Sequence, residues 1–200
     1  MRSSVHPIEV ESYAILRSRL DTTDLPPLTR AVVERVVHTS ADPSWAGDLV
    51  CDEQALRAGR AALLAGAPLV TDVRMVAVGV TSRPATVALD LPGVRELAAA
   101  DGLTRSAAGI RAAVREHPSG AVWAIGNAPT ALVELLRCAA SGLVTTPLVV
   151  GLPVGFVGAV AAKAGLRAAG LPAVSNRSER GGAAATAAAV NALLYSEETA

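Results

Sequence analysis

Aromatic side chains make up only 2% of the 200 residues, with one Phe, two Trp and two Tyr, so the core cannot be assembled around large rings. About half of the chain is apolar, and its interior has to come from Ala, Val and Leu, which demands closely approached helices and strands. An excess of one charge is missing too. Eighteen basic residues cancel eighteen acidic ones and no dense basic run occurs, which excludes the electrostatic footprint of a nucleic-acid binder. Lys163 is the only lysine, so nearly every cation is a guanidinium, a group suited to binding carboxylate or phosphate in pairs of hydrogen bonds. A general bias toward arginine explains the same count. Cys51 and Cys138 form no CxxC pattern, which argues against a disulfide framework or a metal site and fits a reducing cytoplasm. The start, MRSSVHPIEVES, lacks the apolar stretch of a signal peptide. Residues 138–162 carry no charge and are long enough to span a bilayer. Prolines and glycines in "TTPLVVGLPVGF" break that run into short pieces, so no membrane span is expected.

What is present is a helical beginning followed by an alternation. Residues 7–20 place apolar side chains at helical spacing, a second helix starts near Pro26 or Pro27, and a third runs from the cap Asp52 to Gly66. Beyond it, "APLVTD" (67–72), "ATVALD" (85–90), "AVWAIG" (121–126), "PLVVG" (147–151) and "PAVS" (172–175) read as strands. Helices are expected after Thr104 and over 129–140, 156–169 and 182–195. Strand, loop and helix repeated in this way predict a single α/β domain over 1–200. Its core is a mostly parallel five-stranded sheet with helices on both faces, preceded by the helical segment. Such a sheet binds ligands beyond the carboxyl ends of its strands, which selects the loops 71–75, 126–131 and 151–156.

Several local patterns bear on chemistry. In "AIGNAPTALVELL", Gly126 permits a sharp turn, Asn127 offers a donor and an acceptor, and Pro129 opens a helix before Thr130. A ligand rim and a well-capped turn fit it equally. "GLPVGFVGA" has neither the GxGxxG spacing nor the lysine of a phosphate loop, which leaves a nucleotide site with little support. Arg105 stands at a helix start where a cation is unfavourable to the dipole; solvent exposure is its default place, and if the element borders the cleft it is the best arginine for a substrate carboxylate. Gly181 and Gly182 either present N–H groups to an anion or make a tight loop. No GxSxG elbow surrounds a serine, so a nucleophilic triad is unsupported. Of the three histidines, His6 lies in the amino-terminal stretch and His117 precedes Pro118 at a helix end, so both have ready structural explanations. His38, in "RVVHTSADPSW", sits in or just past the last turn of the second helix, where the dipole favours a cation. That position serves the helix by itself and also suits a general acid.

Taken in order, "RVVHTSAD", "ALLAGAPLVTDVRMVAVGVT", "TRSAA", "AIGNAPTALVELL", "GLPVGFVGAVAAK" and "GGAAATAAAVNALL" resemble the precorrin-8X methylmutase family of cobalamin biosynthesis over nearly the whole chain. The resemblance implies an α/β homodimer with a shared active-site cleft. It moves a methyl group from C11 to C12 of a corrinoid tetrapyrrole, giving hydrogenobyrinic acid, or cobyrinic acid where cobalt is present, with no separate cofactor and no metal of its own. His38 matches the family's proton-transferring histidine. Ser12, Thr71, Arg74, Arg105, Asn127 and Thr130 are the residues expected to bind substrate. Glu11 stands where the family usually has a basic residue, and Ala183 where a serine is common. A corrinoid-binding or channelling protein without catalysis is the alternative reading on the same fold.

Overall fold

The computed structural model describes residues 6–196. Residues 1–5, on which the reading of the amino terminus partly rests, and 197–200 lie outside the described residues. The chain begins with α1 (Pro7–Arg19), α2 (Pro27–Ser40) and the short α3 (Trp45–Asp48). Strand β1 (Leu49–Cys51), α4 (Glu53–Leu64), β2 (Leu69–Thr71) and α5 (Arg74–Gly79) follow. Strand β3 (Thr86–Val87) runs into a 3₁₀ turn (Ala88–Asp90), then α6 (Val94–Asp101), α7 (Arg105–Glu116), β4 (Val122–Ile125) and α8 (Pro129–Ala140). The chain closes with β5 (Val149–Gly151), α9 (Ala159–Ala168), β6 (Ala173–Asn176) and α10 (Ala183–Tyr195).

The sheet has the order β1-β6-β5-β4-β2-β3, so the expectation of a mostly parallel sheet covered on both faces holds, with six strands in place of five. The additional strand, β1, pairs antiparallel with β6, matching Leu49 with Asn176 and Cys51 with Val174. It is three residues long and half-buried throughout, too short to carry a period-two signal before the cap at Asp52. Asp52 itself behaves as its sequence promised, accepting from the amides of Gln54 and Ala55. The helix expected from 156 starts only at Ala159. Gly155 and Gly158, at φ of 148° and 80°, hold the preceding segment in a conformation closed to other residues. No helix among the described residues is long and apolar enough to cross a membrane.

Alternation along the strands sorts the interior into two layers. Leu69, Val122, Ala124, Leu148 and Val150 face α2, α4 and α10, while Val70, Trp123, Ile125 and Val149 face α7, α8 and α9. Helix α10 is alanine-rich and lies against the sheet, with α2 packed over it and α1 outside α2. The low aromatic content is thus met by thin helices rather than by voids filled with rings.

Buried carboxylates tie the outer elements down. Glu34 on α2 accepts from Arg17, Thr22 and Arg30, and Glu134 on α8 accepts from Arg111 and Arg137. Burial alone would push both carboxyls up, but the hydrogen bonds and guanidinium charges outweigh it and hold each at about 2. In the unfolded chain they bind protons near 4.5. Stability from these pairs is therefore complete above that value and is lost as the pH falls toward 2. A series of thermal melts from pH 6 to pH 2 is expected to show the melting temperature dropping mainly below about 4.5, with a shallower drop in Glu134→Gln.

Candidate active site

His38 lies in the last turn of α2, half-buried, and its ring is held on two sides. Ser12 Oγ on α1 is 3.0 Å from Nδ1, and the Tyr13 ring stacks on the imidazole at 4.8 Å between centroids and 7° between planes. Arg17 and Arg35 in turn stand over Tyr13. Burial pushes the Tyr13 hydroxyl up, so it stays neutral beside the imidazole. Nε2 has no hydrogen-bond partner among the described residues, which leaves one ring nitrogen to face a ligand while the other is fixed by Ser12. The adjoining cavity measures about 110 Å³ and is lined by Ser12, Ile15, Arg19, His38 and Pro43 among others.

The carboxyl edge of the sheet carries a second group. Asp72, just past β2, is completely buried and accepts from the amides of Gly126 (3.1 Å), Asn127 (2.8 Å) and Ala128 (3.0 Å). Burial pushes its carboxyl up, and the three amides pull it part of the way back. It thereby shapes the turn that presents Asn127 and leads into α8. Gly126 has no room for a side chain, since a β-carbon there would sit 2.5 Å from Thr186 Oγ1. Thr130, at the start of α8, bonds through its hydroxyl to Thr104 (2.8 Å), the cap of α7, beside the exposed Arg105. Arg74, also exposed, pairs with Asp90 at 2.5 Å. Thr71 behaves differently from the other expected residues. It faces the α10 layer with no exposed surface, and its hydroxyl has no hydrogen-bond partner among the described residues.

Ser12 and His38 are thus brought together, as are Thr130 and the start of the Arg105 helix. None of Thr71, Arg74, Arg105, Asn127 or Thr130 lines the cavity beside His38. The two groups belong to different helical layers: α1 packs on α2, whereas the 126–131 turn sits over the sheet edge. Between the strand ends, residues 152–158 form a loop carrying Phe156 and Val157, 96% and 90% exposed. Gly181 and Gly182 make the tight loop rather than an anion nest. The Gly182 amide donates to Leu152 O, and a β-carbon on Gly181 would collide with the same carbonyl.

Residues that the sequence reading passed over are Tyr13, Asp72 and a buried network around Lys163. Asp72 was visible as a carboxylate at a strand end opposite a glycine turn, and Lys163 as a lone lysine within an apolar helix. Tyr13 gave no signal beyond its adjacency to Ser12. Among the described residues no group of three or more His, Cys, Asp or Glu side chains is arranged to hold a metal ion.

A mostly parallel α/β sheet with a polar rim at its strand ends is the architecture of a protein that binds its ligand at the carboxyl edge of the sheet. Comparison with known proteins gives this class a family. The family model "CbiC: Precorrin-8X methylmutase" matches residues 7–196. The chain is 41% identical over 196 residues to the precorrin-8X methylmutase of Pseudomonas aeruginosa, covering 94% of each. It is 37% identical over 191 residues to the cobalt-precorrin-8 methylmutase of Methanothermobacter thermautotrophicus, covering 94% of this chain and 92% of the other. A crystal structure of precorrin-8X methylmutase from Thermus thermophilus superposes with a TM-score of 0.85 at 32% identity, over 94% of this chain and 93% of that one. The chain belongs to the precorrin-8X methylmutase family, isomerases that carry out a methyl migration in cobalamin biosynthesis.

Proposed function

We propose that the chain, as one methylmutase domain, moves a methyl group from C11 to C12 of precorrin-8X or cobalt-precorrin-8, with His38 Nε2 giving and taking the proton. The observation that carries this reading is the ring of His38, fixed by Ser12 and Tyr13 with Nε2 open. Methyl migration around a conjugated macrocycle needs no nucleophile. It needs a held ring and a proton that selects the productive tautomer, which a single oriented imidazole supplies. Arg74, Arg105, Asn127 and Thr130 are the groups offered to the substrate's carboxylates and amide-like edges, and Thr71 supports them from beneath the rim.

The enzyme acts as a homodimer in this reading. A cavity of about 110 Å³ is far below the roughly 300–1,000 Å³ that ligand sites occupy, and a corrinoid is larger than most ligands. A second copy supplying its strand-end rim to the His38 face completes a cleft of adequate size, and the exposed Phe156 and Val157 suit such a contact. Two unbridged thiols agree with a cytoplasmic setting. The metal, where there is one, belongs to the substrate, and relatives carry names of both kinds.

Incubating the purified protein with precorrin-8X is expected to give hydrogenobyrinic acid, followed by its absorption spectrum, and sedimentation is expected to show a dimer. Tight binding of hydrogenobyrinic acid without conversion of precorrin-8X overturns the catalytic reading.

A further inference from the structure

Lys163, on α9, has no exposed surface, although it is the chain's only lysine. Its Nζ donates to Asn176 Oδ1 (2.8 Å), Ser178 O (2.5 Å) and Arg180 O (2.6 Å), so all three N–H groups of the ammonium are used on one short segment. The Asn176 amide passes the interaction on to Asp48 Oδ2 at 2.8 Å. Asp48, at the end of α3, also accepts from the amides of Arg177 and Ser178 and from the Ser178 hydroxyl. Burial would push Asp48 up, but these bonds together hold its carboxyl at about 2. The segment 176–182 is therefore pinned from two sides.

What the segment carries is Arg180. Its guanidinium lies 4.7 Å over the Trp45 ring and bonds to Asp42 and Ser44 through one terminal nitrogen and to Asp48 through the other. Three of its five N–H donors are taken and two are left. The side chain lines a cavity of about 310 Å³ with Thr39, Ser40, Trp45, Val154 and Gly181, where the carboxyl end of α2 meets the loop after β5. Asp42, Asp48, Lys163 and Arg180 sum to no net charge, and without Lys163 the group is negative, which repels an acidic ligand.

We propose that Lys163 is a positioning residue. Its ammonium fixes the 176–182 segment and offsets Asp48, so that Arg180 holds a carboxylate of the substrate in the Trp45 cavity. This rests on the corrinoid reading above, since the ligand's acidic fringe is what gives Arg180 a partner. The groups facing the ammonium are Asp48 from α3, Arg167 from α9, and Glu179 and Arg180 from the segment itself. Burial pulls Lys163 down to about 8, within reach of ordinary buffers. A neutral amine has two N–H groups for three acceptors, so one of the three bonds is lost as the pH rises past that point and the segment is held less firmly, although the Asn176 amide still reaches the Arg180 carbonyl at 2.9 Å. Stability shifts the other way. The unfolded chain holds this proton up to about 10.5, so the cost of burying the ammonium, full below about 8, is relieved between about 8 and 10.5, and substrate affinity and stability move in opposite directions.

Lys163→Met is expected to raise KM for precorrin-8X by about tenfold while kcat stays within about threefold, and Arg180→Ala to do the same, with the double variant no worse than either. An unchanged KM, or effects that multiply in the double variant, overturns the proposal. Should Lys163→Met fail to fold, the unmodified enzyme gives the test: KM rises between pH 7 and pH 9.5 in wild type and not in Arg180→Ala, and a flat wild-type profile overturns it. Amide exchange at Arg177 and Gly182 reads the clamp without the reaction. Faster exchange at pH 9.5 than the intrinsic rate change allows supports it, even if precorrin-8X is not the substrate, and unchanged protection overturns it.

Discussion

Alanine at position 38 is expected to lower turnover of precorrin-8X by roughly 10²–10⁴-fold, the usual worth of a positioned general acid–base group. KM should change little, because the cavity wall around the imidazole is mostly α1 and remains in place. Ser12→Ala should cost less than His38→Ala, since it removes the bond that orients Nδ1 while the Tyr13 stack still restrains the ring. Single-turnover absorption measurements separate the chemical step from product release, and wild-type turnover by His38→Ala protein removes the histidine from the mechanism. The same variant examines the shared cleft. Mixed and re-equilibrated with Arg105→Ala protein, it should regain up to about a quarter of wild-type activity, because half of the dimers are mixed and each has one intact site. No regain means that both residues serve a site within one chain.

Asp72→Ala should be the most destabilising single change at the rim. Three amides that now share one buried carboxylate lose their acceptor, at about 1–3 kcal/mol for the buried Gly126 N–H and less for the half-buried Asn127 and Ala128. For a chain of this size that corresponds to a fall in melting temperature of roughly 10 °C or more. Substrate affinity should suffer beyond the loss of stability, because the freed turn carries Asn127 and begins the helix of Thr130. Differential scanning calorimetry combined with product titration at 15 °C, where the variant is still folded, separates the two effects. A melting temperature within 2 °C of wild type would falsify this account of the turn.

The mostly parallel sheet was legible because buried strands leave short apolar runs between helices with clear starts, marked here by the caps Asp52 and Thr104 and by Pro129 in the first turn of α8. Strand β1 was not, since three half-buried residues carry no periodicity and its pairing with β6 spans more than 120 positions of sequence. The short α5 and α6 escaped for a related reason: α6 is bounded by Gly93 and Gly102 in left-handed conformations, which read in sequence as turns. His38 and Ser12 entered the candidate site through the resemblance to the family, and their contact needed the third dimension. Thr71 shows the limit of that route. The motif puts it at the strand end, yet the strand's alternation turns it toward α10 rather than outward. The Lys163 network was beyond reach because its partners come from α3, β6 and the segment after it, and nothing in their spacing announces that they meet.

Helix α10 lies between α2 and the sheet and is nearly all alanine where it is buried, with Ala185, Ala188, Ala189 and Ala192 in the core. Its diameter consequently sets how far His38 stands from the strand ends. A single added methyl at Ala188 or Ala192 would lift α2 outward and carry the imidazole with it. The plainest helix in the molecule is thus its gauge block, and its monotony of sequence is a specification of length.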